Sequence, residues 1–319
     1  MQFCVFRAIL GRIPMKTNLK LFLVAACAST LLMQACGNGN KPKVQSDNFL
    51  KGTAKIAVDE SFSPIIDEEA YIFKAANPEA NPVFQYRPET GVLNMLLNDS
   101  VRVAIMAREL DTAETGIFKR RTLPPVVTKF AIDAVAVIVN QQSVDTLLTL
   151  KDLKGMLNGT VKTTKSLVFD NPNSSLVRYL KQIAGVKNLP KQNIYALKSN
   201  KEVIKYVSTH QDAIGLTGFA WLNDPDDDYA AAVDKVKIVG VKNEDNKKAP
   251  NEYFKPSQST LVQDLYPLSR SLYVIDCSGK RGLGAGFAWF LASERGQRII
   301  LKSGLLPDSL PQRQINITH

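Results

Sequence analysis

From residue 52 onward short apolar runs alternate with amphipathic stretches, and the alternation predicts strands and helices in turn. Lys55–Asp59 reads as a strand, and Ser63-Pro64 then opens a helix with Asp67, Glu68 and Glu69 near its first turn and apolar positions through Tyr71 and Phe73. Val83–Tyr86 is the next strand. Pro88–Leu97 follows as a helix, with Val92, Leu93, Leu96 and Leu97 on one face, and Val101–Ala107 is a further strand. The run Phe130–Asn140 is almost unbroken apolar sequence, which suits a strand covered on both faces in a parallel or mixed sheet.

Beyond it, Thr149–Leu157 predicts a short helix with a threonine cap and Leu167–Asp170 a strand. Asn173-Ser174-Ser175 starts a helix reaching about Ile183. Ile194–Leu197 is a strand, and Ser199/Asn200 caps a helix to Ser208. Ala213–Leu216 and Val236–Val241 are strands. Helices over Phe287–Leu291 and Gly296–Lys302 end at Gly304 and Pro307. No repeat of 20–50 residues is visible. Alternation of this kind means an α/β architecture, and a chain of 319 residues is long enough for two lobes. In such sheets ligands sit beyond the carboxyl ends of strands, where helix N-termini point. Ser61-Phe62-Ser63 and Asn173-Ser174-Ser175 are the two places that fit.

The first residues have a different character. Lys16 and Lys20 precede an apolar stretch, Leu21 to Met33, that ends at Gln34-Ala35-Cys36-Gly37. A basic stub, a short apolar segment and a small residue before the cut describe a secretory signal, and the stretch is too short and interrupted for a comfortable membrane span. Leu32-Met33-Gln34-Ala35-Cys36 resembles a bacterial lipobox, which implies lipidation of Cys36; Met33 departs from the small residue preferred at its position, and an ordinary signal peptide is the alternative. Met15-Lys16 begins a well-proportioned signal by itself, so either Met1 or Met15 is the start. The expected organisation is a signal over 1–35, a Gly/Asn/Lys-rich tether over 36–51, a first lobe over 52–132, a second over 133–214, and a return to the first over 215–319.

The formal net charge is +10, and the segment 1–35 holds Arg7, Arg12, Lys16 and Lys20 without an acid. The remainder has 36 basic against 30 acidic residues, a modest excess compatible with an anionic solute or a membrane surface but common for solubility alone. No basic block or basic stripe interleaved with aromatics supports nucleic-acid binding. Of the cysteines, Cys4 and Cys27 lie in the leader, and Cys36 and Cys277 form neither a disulfide framework nor a zinc site. Asp224–Asp228 lacks the glycine and distal glutamate of a calcium loop, so no metal is expected, and no cofactor. With histidines only at 210 and 319 and no motif pairing a base with a nucleophile, an enzyme is not expected either.

Several phrases in order resemble the phosphate-transporter substrate-binding protein family, within the type II periplasmic binding protein fold. They are Phe130–Asn140 followed by Leu150-Lys-Asp-Leu153 and Gly159; Ala213-Ile-Gly-Leu-Thr-Gly218; Tyr266-Pro-Leu-Ser-Arg270 with Leu272-Tyr273; and Phe290-Leu291, Ser293-Glu294-Arg-Gly-Gln297 and Gly304-Leu-Leu-Pro307. The resemblance covers most of 52–308. It implies two lobes, each a mixed sheet flanked by helices, closing over a dehydrated oxyanion held by backbone N–H groups, hydroxyls, one acidic and one basic side chain. The physics is general: helix N-termini offer free donors and partial positive charge, and a buried anion needs a full set of hydrogen bonds.

Carried over residue by residue, the resemblance places the ligand at Ser61, Phe62, Ser63, Thr90, Arg102, Asn173, Ser174 and Ser175. It also departs from the pattern. Arg87-Pro88-Glu89-Thr90 stands for a Gly-Ser-Gly loop, Arg102 falls where the family has its acidic ligand residue, and Phe169 falls where it has its arginine. An Arg102 facing the cleft would supply the missing cation and admit a different anion; facing outward, it would be an edge charge that discourages aggregation. Ser63-Pro64 and Asn173-Ser174-Ser175 also read as ordinary helix starts. The partners implied are a small phosphate-like anion, an ABC-type permease and a membrane reached through the lipid anchor, with the chain a monomer. The alternative is an envelope scaffold or sensor that reuses the fold with an altered site.

Overall fold

The computed structural model describes residues 47–309. The leader and the lipobox cysteine, Cys36, lie outside the described residues. The first lobe is built on parallel strands β1 (Gly52–Asp59), β2 (Ala80–Arg87) and β3 (Val103–Met106), with β1 in the middle. Helix α1 (Ser63–Ala76) follows β1 through a single 3-10 turn at Glu60–Phe62, and α2 (Glu89–Leu97) follows β2. Central position explains the burial of β1, whose last four residues are all buried. Helix α3 (Thr112–Arg120), which the hydrophobic pattern did not predict, is fixed by a capping box between Asp111 and Glu114 and has Phe118 as its buried residue.

Strand β4 (Val126–Asn140) is 15 residues long and is shared between the lobes. Its first half pairs antiparallel with β11 (Ser269–Asp276), and its second half pairs with β8 (Ala213–Gly218) and β9 (Val236–Ile238). The resulting path runs β2-β1-β3-β11-β4-β8-β6-β7, with β6 at Ser166–Phe169 and β7 at Ile194–Ala196. In the second lobe, α4 (Leu150–Asn158), α5 (Ser175–Ala184) and α6 (Asn200–Thr209) start on side-chain caps from Thr149, Ser174 and Ser199. Gly185 ends α5 with a left-handed backbone, φ 67°, which a Cβ would disfavour. Short strands β5 (Leu147–Thr149) and β10 (Gly240–Lys242) pair beside this sheet. Short helices α7 (Ala220–Asn223), α8 (Ala230–Val233) and α9 (Gln258–Val262) complete the lobe.

The chain returns to the first lobe later than residue 215. Strand β8 pairs with β4 and β6, and Ile214, Val239, Val241, Leu261, Tyr266 and Leu268 all join the second lobe's core. An apolar strand such as Ala213–Gly218 suits the middle of either sheet, and only its partners decide which. The return is β11, which then leads to α10 (Leu283–Ala292), α11 (Glu294–Lys302) and the two-residue β12 (Leu306–Pro307) on β4. The first lobe's core gathers Ile56, Ile66, Phe73, Phe130, Phe287 and Leu291, with Phe73 meeting Phe287 edge-on at 5.3 Å. Among the described residues no helix is long and apolar enough to cross a membrane.

Candidate functional site

The carboxyl ends of β1, β6 and β8 and the middle of β4 meet where the lobes face each other. Each supplies a buried polar side chain: Asp59 from β1, Asp170 just after β6, Thr217 from β8 and Asp133 from β4. Strand β11 adds Arg270, directly opposite Asp133 in the register. Buried charged groups gather here because the strand ends at the seam are not covered by apolar helix faces as the sheet middles are.

Arg270 is the centre. Its Nε donates to Asp133 Oδ2 at 2.9 Å, its Nη1 donates to Ser175 Oγ at 3.0 Å, and the guanidinium carbon lies 4.8 Å from the centre of the Phe62 ring. Arg270 and Asp133 have side chains only 2% exposed. Burial alone would weaken the arginine's hold on its proton, but Asp133, Asp59 and Asp170 outweigh it and keep the group charged. Asp59 accepts the Ser61 N–H at 3.1 Å. Burial, reinforced by the charge of Glu89, pushes the Asp59 carboxyl up to about 6, with Ser175 and Arg270 opposing. Asp170 accepts from Ser174 Oγ at 2.5 Å and from Asn200 Nδ2 at 3.2 Å, and burial pushes it up to about 7 despite the Ser174 bond. Asn200 turns its oxygen to Thr217 Oγ1 and the Gly218 N–H, at 2.8 and 3.1 Å.

Four buried polar atoms in this cluster have no hydrogen-bond partner: Asp59 Oδ2, Ser61 Oγ, Asp133 Oδ1 and Arg270 Nη2. The last is 2.8 Å from Asp133 Oδ2, within ion-pair distance but not aligned to donate to it. Buried polar groups are almost always bonded, so four such atoms in one seam make it the candidate site of this chain.

The lobes are also joined at the rim. Glu89, at the first turn of α2, receives Arg178 Nε at 2.5 Å and Nη2 at 3.1 Å, while Arg178 Nη2 also reaches the Ala107 carbonyl at 3.2 Å. Arg108 stands 3.7 Å from Glu89 and is held by a two-pronged bond to Glu114 at 2.7 and 2.8 Å. The Thr90 N–H and hydroxyl both donate to the Asn173 carbonyl at 3.2 Å.

The residues singled out in the sequence separate into groups. Ser61, Phe62, Ser174 and Ser175 lie around Arg270, Asp59 and Asp170. Thr90 and Asn173 bond each other at the rim and are exposed. Ser63 opens α1 and lines a hollow with Asp67, Lys201 and Asp226. Arg102 is a correction. It sits on the outer surface, about half exposed, and its guanidinium forks onto Asp99 at 2.9 Å on both nitrogens, three residues away in the turn before β3. The cation of the seam is Arg270 instead. Arg270 ends the family-like phrase Tyr266–Arg270, and the alternation of Ser269–Asp276 is the sequence signal that makes it an inward-facing strand residue. Asp59 and Asp170 each closed a predicted strand and were not singled out; an acid at the carboxyl end of a strand was the available signal.

The comparisons agree with this layout. The family model for the PBP superfamily domain matches residues 43–295. The phosphate-binding protein PstS of Staphylococcus aureus (strain USA300) is 27% identical over 263 residues, covering 78% of this chain and 75% of that protein. PstS of Borreliella burgdorferi is 23% identical over 309 residues, covering 90% and 98%. Among solved structures, a Clostridium perfringens protein with bound phosphate aligns with a TM-score of 0.67 at 19% identity, covering 81% of this chain and all of that one. An ABC-type phosphate transport receptor from Vibrio cholerae aligns at 0.60 and 19% identity, covering 80% and 100%. With the family model spanning most of both lobes and the polar seam between them, the chain belongs to the PBP superfamily.

Proposed function

We propose that this chain is an extracytoplasmic solute-binding protein whose lobes close over a small oxyanion that carries protons, phosphate above all, for delivery to an ABC-type permease. The observation that carries the reading is the chemistry of the four orphan atoms. Asp59 Oδ2 and Asp133 Oδ1 call for donors, whereas Arg270 Nη2 calls for an acceptor and the Ser61 hydroxyl takes either role. A tetrahedral oxyanion bearing O–H groups offers both in one small body. Sulfate offers acceptors only, and would leave two buried carboxyl oxygens facing a negative charge. Phosphate keeps O–H groups near neutral pH. The names of the relatives support the same ligand.

The start of α5 suits an anion as well. Ser174 Oγ takes the Val177 N–H at 3.2 Å, while the first N–H groups of a helix have no acceptor within it. The leader supports export and a lipid on Cys36, which would tether the domain to a membrane as a monomer beside its permease. No enzymatic step is assigned.

A thermal-shift panel of phosphate, arsenate, sulfate and molybdate tests the ligand. Stabilisation by phosphate and arsenate but not by sulfate is expected; a response to sulfate equal to that to phosphate would refute the proton requirement. Mass analysis of the membrane-extracted chain tests the anchor, with a diacylated Cys36 as its first residue being the expected result.

A further inference from the structure

One face of the first lobe is built for contact at the point where the N-terminal segment joins the domain. Asp47 caps α10, accepting the Leu283 N–H at 2.9 Å and pairing with Lys280. Phe49 then lies so close to α10 that a Cβ at Gly286 would overlap its carbonyl. Residues 47–49 are therefore strapped along α10. Leu50 comes next, 54% exposed, beside Trp289, which is 62% exposed. Trp289 is an anomaly: it sits on a helix, Leu-Gly-Ala-Gly-Phe-Ala-Trp-Phe-Leu-Ala, whose aromatic neighbours Phe287 and Phe290 are buried.

Leu50 and Trp289 flank an open groove of about 670 Å³ floored by Phe73, Ala76 and Phe290, with Glu294, Arg295 and Arg298 at its edge. Arg298 pairs with Glu294 at 2.5 Å, and Arg295 has no carboxylate within ion-pair distance among the described residues. An exposed tryptophan and leucine edged by arginines is the composition of a surface that sits at a lipid headgroup layer. The other indole, Trp221, is buried and bonded to the Ser61 carbonyl at 2.9 Å.

We propose that this face rests on an anionic phospholipid surface and sets the orientation of the domain on the membrane. The inference rests on the lipid anchor at Cys36 proposed above. Ten residues lie between Cys36 and Asp47, so even a fully extended connection of that length reaches only roughly 40 Å at about 3.5 Å per residue. Trp289 is six residues beyond Leu283 on α10, about 9 Å along the helix at 1.5 Å per residue. The anchor thus confines this face to the neighbourhood of the bilayer, and the strap keeps Leu50 and Trp289 in fixed relation to it. Arginines near an anionic leaflet then add attraction that falls with salt.

The test uses the full mature chain reconstituted into phosphatidylethanolamine vesicles with or without phosphatidylglycerol, each containing a nitroxide-labelled lipid. Because Trp221 is buried, quenching reports Trp289. Strong loss of Trp289 emission in phosphatidylglycerol vesicles is expected, weakening by about five-fold in apparent association for each arginine removed in Arg295→Gln and Arg298→Gln. A chain that floats with vesicles yet keeps full Trp289 emission overturns the inference and leaves the anchor standing. Pairing of two copies through Trp289, seen as a dimer in which emission is shielded from aqueous quencher and from labelled lipid alike, overturns it as well. A chain that does not float at all removes the anchor and the inference with it.

Discussion

Glu89 in the first lobe grips Arg178 in the second with two hydrogen bonds, at 2.5 and 3.1 Å, and both residues sit within the start of a helix that faces the seam. Glu89 is 4% exposed, so this pair is shielded more than a surface ion pair. It is also the charge that helps raise Asp59. The same side chain therefore joins the lobes and tunes the seam.

Glu89→Gln keeps the shape and removes the charge. Loss of a partly buried ion pair of this kind costs the closed form about 1–2 kcal/mol, so phosphate affinity is expected to drop about ten-fold. Small-angle scattering with phosphate present should show a larger radius of gyration for the variant. An unchanged radius and affinity would mean that the pair does not hold the lobes together.

Arg270→Met tests the seam's charge balance. Asp133 and Asp59 would be left buried without their cation, a change that costs about 3–5 kcal/mol and lowers the melting temperature by about 10 °C. Adding Asp133→Asn should restore part of the stability, since the uncompensated charge is then gone. Calorimetry of the single and double variants measures this directly, and simple additivity of the two losses would argue against the pairing.

The ligand-free protein should lose stability as pH rises. Asp59 and Asp170, ordinarily near 3.8, are pushed up to about 6 and about 7. Glu69, on the buried face of α1 with neither oxygen bonded, is pushed by burial and by Glu68 from 4.5 up to about 9. Each of these groups binds its proton more tightly folded than unfolded. Their contribution is therefore complete below about pH 4 and is lost stepwise as pH climbs through 6, 7 and 9. Glu69→Gln removes the last step and should stabilise the protein at pH 8 by about 1–3 kcal/mol. Melting curves across that range check both; a melting temperature that rises from pH 5 to pH 8 contradicts the assignment.

Gly286→Ala should detach the strap. The new methyl group would collide with the Phe49 carbonyl, a backbone atom that cannot turn aside, so residues 47–50 must shift at a cost of about 1–3 kcal/mol. Faster amide exchange at Leu50 and Lys51, with Gly284→Ala as a comparison against the more yielding Val103 side chain, reads the effect.

Much of the scaffold is legible in residue order, because its determinants are local. The unbroken apolar run ending at Asn140 is a strand covered on both sides, and Ser63-Pro64, Thr149, Ser174 and Ser199 do begin helices. The polar seam is not local. Arg270 meets Asp133 and Ser175 across 137 and 95 residues, and neither periodicity nor capping reports such a meeting. Asp133 interrupts an apolar strand, and an isolated acid there signals a buried partner without naming it. Arg102 is decided by a local contact instead: its partner Asp99 lies in the preceding turn, and of the two orientations open in the sequence this pairing selects the outward one. Helix α3 was missed because Phe118 is its single buried residue, too little apolar surface to leave a periodic trace.

Isothermal titration of the mature chain with phosphate and sulfate at pH 7 bears most directly on whether the orphan atoms around Arg270 receive a protonated oxyanion. Saturable one-to-one binding of phosphate, abolished in Arg270→Met and in Asp59→Asn/Ser61→Ala chains that still melt cooperatively, with no heat from sulfate, is the expected result. Sulfate binding as tightly as phosphate, or phosphate binding that survives both sets of substitutions, would contradict it.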